Sequence, residues 1–181
     1  IVHNDCRPAF IDVQRDNFVA NKVMSGQQIL VHLTGNKAED YVKDITIIED
    51  SAHRIDPGQC KDNPNLVCFS FYATKNMTTG QGGMIATNDE EAAKWLRKAR
   101  DHGVSKGTTE RYKDGAWAYD VEFVGWREKP DDIHSAIGIE QLKKLPAMDN
   151  ERKRIISLYN ELLGLNRKGL HLYPVLVLER P

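Results

Sequence analysis

Short apolar, often β-branched runs alternate with helical patterns along this chain, and that alternation constrains the fold more than any other feature. Residues 8–13 (PAFIDV), 28–33 (QILVHL), 45–48 (ITII), 66–71 (LVCFSF) and 83–87 (GMIAT) are strand-length and bounded by Gly, Asp or Asn. Their near-continuous apolarity predicts strands covered on both faces. A helix is expected over 89–101, where NDEE puts carboxylates into the first turn and KARDHG ends on basic residues and a Gly. A second is expected over 130–145, with Pro130 at its start, Asp131 and Asp132 in its first turn, and Ile133, Ile137 and Leu142 on a helical spacing. A third, over 150–163, carries Ile155, Ile156, Tyr159, Leu162 and Leu163 and reads as a connector. The last run, 170–179 (LHLYPVLVLE), reads as a strand of a second, smaller element. Strands alternating with helices predict an α/β layered fold with a mainly parallel sheet.

Composition narrows the function classes. With 25 basic against 26 acidic side chains and a formal net charge of −1, the chain lacks the clustered cations that nucleic acid or an anionic membrane requires. Its apolar runs fall far short of the roughly 20 residues that cross a bilayer. The opening IVHNDCRPAF lacks the layout of a secretory signal, so a cytoplasmic setting is expected. Cys6, Cys60 and Cys68 form no CxxC pair and read as reduced thiols. His3, His32, His102, His134 and His171 show no HExxH or similar spacing, and no metal site is predicted.

In an open α/β sheet, ligands collect beyond the carboxyl ends of the strands. There the chain offers Glu49, Asp50 and His53 after ITII, Ser70 and Lys75 around the end of LVCFSF, and Thr34, Gly35 and Asn36 after QILVHL. A lone loop lysine ordinarily faces solvent, and a lone strand-end aspartate ordinarily caps a turn. Together, a carboxylate and a lysine at the ends of separate strands match the pairing that holds the ring nitrogen and the aldehyde carbon of pyridoxal phosphate. Ser70 suits a phosphate, and His53 suits a planar ring. Gly80, Gly82 and Gly83 fit no phosphate-loop spacing and read as turn residues that bring a hairpin back to the site.

EDSAH (49–53), CFSFYATKNMTTGQGGMIATND (68–89), LRKARDHGVSK (96–106), GW with DDIHSAIGIEQLKKL (125–145) and ERKRIISLYNELL (151–163) resemble the DegT/DnrJ/EryC1/StrS family of pyridoxal-phosphate-dependent nucleotide-sugar aminotransferases. The resemblance implies the large domain of the fold type I aminotransferases, three-layered around a mainly parallel mixed sheet, over 1–148. A connector helix and part of a small C-terminal α+β domain follow over 149–181. It implies pyridoxal 5'-phosphate as cofactor, with Lys75 as the lysine that bonds to it and moves the proton. Asp50 is then the acid that keeps the pyridine nitrogen protonated, His53 a residue near the ring and its phenolic oxygen, and Ser70 a phosphate contact.

In the family, a segment like GYNYRMTDI completes the phosphate site across a homodimer interface. Here it reads GWREKPDDI, so Arg127 or Lys129 stands in for the usual Asn, and Gln81 replaces a frequent Glu. A cation still suits a phosphate. The implied activity is ping-pong transfer of the amino group of L-glutamate to a keto group of a nucleotide-linked sugar, as in polysaccharide biosynthesis. Two alternatives stand beside it. A pyridoxal-dependent sugar dehydratase carries His in place of the lysine, which Lys75 opposes. A degenerate relative with a scaffold role is opposed by the intact Asp50, Ser70 and Lys75. Family members are longer, and their phosphate-binding turn and ring-stacking aromatic precede the equivalent of IVHNDCRPAF. The sequence is therefore expected to be a fragment or to lack flexible segments, with apparent shortenings between DNFVANKVMSG (16–26) and QILVHL (28–33), between KAEDYVKD (37–44) and ITIIED (45–50), and within LGLNRKGLHLYPVLV (163–177).

Overall fold

The computed structural model describes residues 7–19, 27–38, 45, 47–107, 112–113 and 118–177. Four strands form one sheet in the order β1 (Gln28–Val31), β2 (Ile47–Asp50), β3 (Leu66–Ser70) and β4 (Gly83–Ala86). The first three run parallel, and β4 returns antiparallel to β3. The expected mixed, mainly parallel α/β sheet is present.

Alternation along each strand sorts the residues onto two faces. The register sets Leu30 against Glu49 and Glu49 against Val67, and all three are buried. On this face Val19, Leu30, Ala38 and Ile47 make the core cluster. The other face carries Val31 beside Asp50 and Asp50 beside Cys68, with Ser70 two residues further along β3. Here the expectation of strands covered on both faces fails. Ile29, Val31 and Ile85 are 46%, 40% and 48% exposed, so the face that bears Asp50 and Ser70 stands open to ligand or further chain.

Helix α1 (Glu90–Ala99) follows its sequence signals closely. Asp89 caps it, its Oδ1 accepting from the Glu91 and Ala92 N–H groups at 2.9 and 3.1 Å, and Arg97 and Lys98 close its last turn. The two helices expected over 130–145 and 150–163 are one, α2 (Asp132–Leu163), about 48 Å long at 1.5 Å per residue. Pro146 lies inside it. Proline's fixed φ is helical, so its ring removes one rung without ending a helix held on both sides. Asp131 caps the start by accepting from the His134 N–H at 2.8 Å, and Gly164, left-handed at φ 63°, ends it. The expected domain boundary at 148/149 falls within α2.

Two expected strands add nothing to the sheet among the described residues. Among the described residues, 8–13 add no strand to the sheet, though Val13 stands in an isolated bridge: the Asp12 carboxylate takes the Val13 N–H at 2.8 Å, and the chain turns, the Phe18 N–H donating to the Gln14 carbonyl at 2.9 Å. Among the described residues the run after α2 forms no strand through residue 177, and Pro174 removes a donor from it. Cys60 and Cys68 are free, while Cys6, Leu178 and Glu179 lie outside the described residues, as does most of 37–44. Among the described residues no helix is long and apolar enough to cross a membrane, and no three His, Cys, Asp or Glu side chains gather as metal ligands.

Candidate active site

β2 and β3 deliver the site residues because they are parallel neighbours whose carboxyl ends lie side by side. Asp50 is the last residue of β2; one carboxylate oxygen, Oδ1, accepts the Ala52 N–H at 3.0 Å. That bond bends the chain into a turn, closed by Arg54 N–H to the Ser51 carbonyl at 3.1 Å, which carries His53. The Thr34 N–H donates to His53 Nδ1 at 3.3 Å. This network assigns the proton of the neutral imidazole to Nε2.

Ser70 ends β3, and its Oγ accepts the Tyr72 N–H at 3.4 Å. Beyond it, residues 71–82 fold into a compact loop on the way to β4. Phe71 and Gly82 are bonded through the backbone at 2.8 Å, the Thr79 N–H reaches the Phe71 carbonyl at 2.9 Å, and Lys75 N–H closes a turn onto the Tyr72 carbonyl at 3.0 Å. Asn76 and Met77 are buried, so the loop is anchored immediately after Lys75. Gly82 sits at φ 150°, and a Cβ there would fall 2.6 Å from Thr79 Oγ1. The expected hairpin return through these glycines is present. Gly82→Ala should therefore strain the loop and cost about 2 kcal/mol of stability, measurable as a lower thermal midpoint.

The charges of this region act on one another. Burial, helped by the Lys75 charge and opposed by Asp50, lowers the His53 pKa from its ordinary 6.5. Lys75, Asp50 and His53 thus form one electrostatic group. Two residues join it that sequence reasoning did not name as site residues. His171 lies with its ring centroid 4.2 Å from that of His53, and burial, with the charges of His53, Lys75 and Arg152, pushes its pKa to about 4. Arg152, on α2, donates from Nη2 to the Asn76 carbonyl at 2.8 Å and pairs through Nη1 with Asp149 at 2.7 Å, bracing the turn that bears Lys75. No spacing connects either residue to the strand-end cluster, so only the folded chain reveals them.

Arg127 lies elsewhere. It is exposed, in the segment that bridges to Asp101 just beyond α1, where Lys129 pairs with Asp101 at 3.3 Å.

The sequence pattern of the DegT/DnrJ/EryC1/StrS aminotransferase family matches residues 1–174. An uncharacterized protein of Methanocaldococcus jannaschii is 34% identical over 215 aligned positions, covering 98% of this chain and 54% of that protein. The spore coat polysaccharide biosynthesis protein SpsC of Bacillus subtilis is 30% identical, covering 99% of this chain and 54% of its own length. A Streptococcus pneumoniae protein described as a sugar aminotransferase, solved in its PLP-form, superposes with a TM-score of 0.73 at 24% identity, over 90% of this chain and 50% of that one. The chain thus spans about half the length of the relatives it matches. The shared architecture is that of the fold type I aminotransferases. By this match over nearly its whole length, the chain belongs to the DegT/DnrJ/EryC1/StrS aminotransferase family.

Proposed function

We propose that this chain carries the cofactor half of a pyridoxal-phosphate-dependent sugar aminotransferase, which moves the amino group of L-glutamate to a keto group of a nucleotide-linked sugar. The observation that carries this reading is that Asp50 and Ser70 end the neighbouring parallel strands β2 and β3 on one face of the sheet, with His53 and Lys75 in the turns just beyond. The donor set fits the cofactor. Asp50 has a carboxylate oxygen beyond the one held by Ala52, suited to a protonated ring nitrogen. Ser70 shares its sheet face and offers a hydroxyl to a phosphate, and Lys75 brings an amine from an anchored turn. When bound, pyridoxal phosphate supplies an electron sink that makes the substrate's α-proton removable.

Lys75 anchors the cofactor and then acts as general base and general acid, taking a proton from one carbon and returning it to another. Asp50 holds the ring nitrogen charged, and neutral His53 lies alongside the ring. Arg127 is assigned to a cofactor phosphate in the partner subunit of a homodimer, since Lys129 is drawn to Asp101. The large domain is assigned to 1–148, with the connector and part of the small domain following, in a cytoplasmic enzyme of polysaccharide or glycan assembly. SpsC is a relative whose name points the same way.

Borohydride reduction after incubation with pyridoxal phosphate, followed by peptide mapping, tests the cofactor assignment. The mark should fall on the peptide containing Lys75; labelling confined to other lysines would overturn it. Asp50→Asn should keep the mark yet slow amino transfer about 10²-fold, the scale of losing one preorganised electrostatic partner.

A further inference from the structure

Residues 165–174, after α2, form a strap across the carboxyl end of β1. Asn160, near the end of α2, holds it by donating from Nδ2 to the Arg167 carbonyl at 3.0 Å and accepting at Oδ1 from the Arg167 N–H at 2.8 Å and the Tyr173 hydroxyl at 2.9 Å. Arg167 is itself buried, over the Phe18 ring at 5.0 Å, and donates to the Pro174 and Asp16 carbonyls. The strap then meets Thr34 so closely that a Cβ on Gly169 would lie 2.4 Å from the Thr34 carbonyl oxygen. That carbonyl accepts the N–H groups of both His171 and Leu172, at 3.0 and 3.3 Å. Thr34 therefore fastens two imidazoles: its carbonyl holds the backbone of His171, and its N–H holds the ring of His53.

We propose that His171 is a positioning residue for His53: the strap lays its ring against the His53 ring, which with the Thr34 N–H keeps His53 in one plane and one tautomer beside Lys75. Protonating His53 would put hydrogen on Nδ1, against the Thr34 N–H that now points at that nitrogen. The groups facing the two rings are the Lys75 and Arg152 cations and the Asp50 carboxylate. Two neutral imidazoles pack in that field without repelling each other or the lysine. The consequence for cofactor binding rests on the function proposed above, whereas the pairing does not need the cofactor.

The test is a long-range nitrogen–proton NMR spectrum of the histidine rings in the protein without cofactor, recorded against pH. The unaltered protein should show His53 as the Nε2–H tautomer, with a midpoint below 6.5. His171→Ala should mix the tautomers and move the midpoint up toward 6.5, while His171→Phe, which keeps a flat ring on His53, should restore both. Gly169→Ala, which lifts the strap from Thr34 without touching either imidazole, should repeat the alanine result and serves if His171→Ala fails to fold. A His53 tautomer and midpoint unchanged in folded His171→Ala or Gly169→Ala overturns the proposal.

Pyridoxal phosphate titration supplies the second reading. The dissociation constant should rise about fivefold in His171→Ala, the worth of one aromatic pair, and return in His171→Phe. If His53 responds as described but no variant takes up the cofactor, the proposed function fails and the positioning role stands. If the cofactor binds while His53 ignores His171, the reverse holds.

Discussion

Lys75→Ala should abolish amino transfer, by at least about 10³-fold, while leaving the fold and reversible binding of pyridoxal phosphate in place. The fold survives because the loop is held by backbone bonds and by buried Asn76 and Met77 rather than by the lysine side chain, which is half-buried. Binding should survive because the proposed contacts of Asp50 and Ser70 come from the sheet and do not need the amine. Steady-state transfer with glutamate as donor, beside a circular dichroism spectrum and a cofactor titration, separates the three effects. Transfer retained at more than a few per cent would remove Lys75 from the proton path. Loss of cofactor binding along with activity would make it an anchor only.

The largest stability effect is expected behind the site. Glu49 is 1% and His32 0% exposed, and they are bonded at 2.8 Å on the face of the sheet opposite Asp50. The Ala38 N–H donates to His32 Nδ1 at 3.2 Å, so His32 donates to the carboxylate through Nε2. Asn65 and Asn63 donate to the other oxygen at 2.7 and 3.0 Å. Burial alone would raise the Glu49 pKa, but the hydrogen bonds from His32, Asn65 and Asn63 outweigh it and hold it at about 2.

A carboxyl whose folded pKa lies below its unfolded 4.5 stabilises the fold above pH 4.5 and loses that contribution as pH falls toward 2. The shift corresponds to about 3 kcal/mol. His32→Leu should cost a similar amount at neutral pH, because the carboxylate stays buried without its imidazole, and His32→Leu with Glu49→Met should recover much of it. Denaturant unfolding of both variants between neutral pH and pH 2 checks the magnitudes. A single variant as stable as the original protein would show that the pair contributes nothing net. The His32 backbone N–H also donates to the Asp50 carbonyl at 3.0 Å, which ties the buried pair's chain segment to the site strand.

The four strands and α1 were legible because each is marked locally, by β-branched apolar runs between turn residues or by a capping aspartate with charges at the proper ends. The runs at 8–13 and 170–177 carry the same local signal yet add no strand among the described residues, since a strand also needs an edge to pair with, which a linear pattern does not encode. Two helices were expected over 130–145 and 150–163, whereas α2 runs unbroken through Pro146. Asp50, His53, Ser70 and Lys75 were named from strand ends and from the family resemblance, and the structure sets Asp50 and Ser70 at the ends of β2 and β3 with His53 and Lys75 in the turns beyond. Glu49 stands beside Asp50 in the sequence, and alternation along β2 turns it to the opposite, buried face. His171 and Arg152 reach the cluster through the strap and α2, from positions far along the chain, so no spacing could announce them. Arg127 lies apart from this cluster, and its proposed phosphate contact depends on a second subunit.

The most direct measurement is the absorbance spectrum of the protein with pyridoxal phosphate, before and after addition of L-glutamate. The account predicts a visible band from cofactor joined to Lys75, which glutamate converts to the pyridoxamine form and which Lys75→Ala never shows. A folded protein that gives no such band, or a band that glutamate leaves unchanged, would contradict the assignment of this site to amino transfer from glutamate.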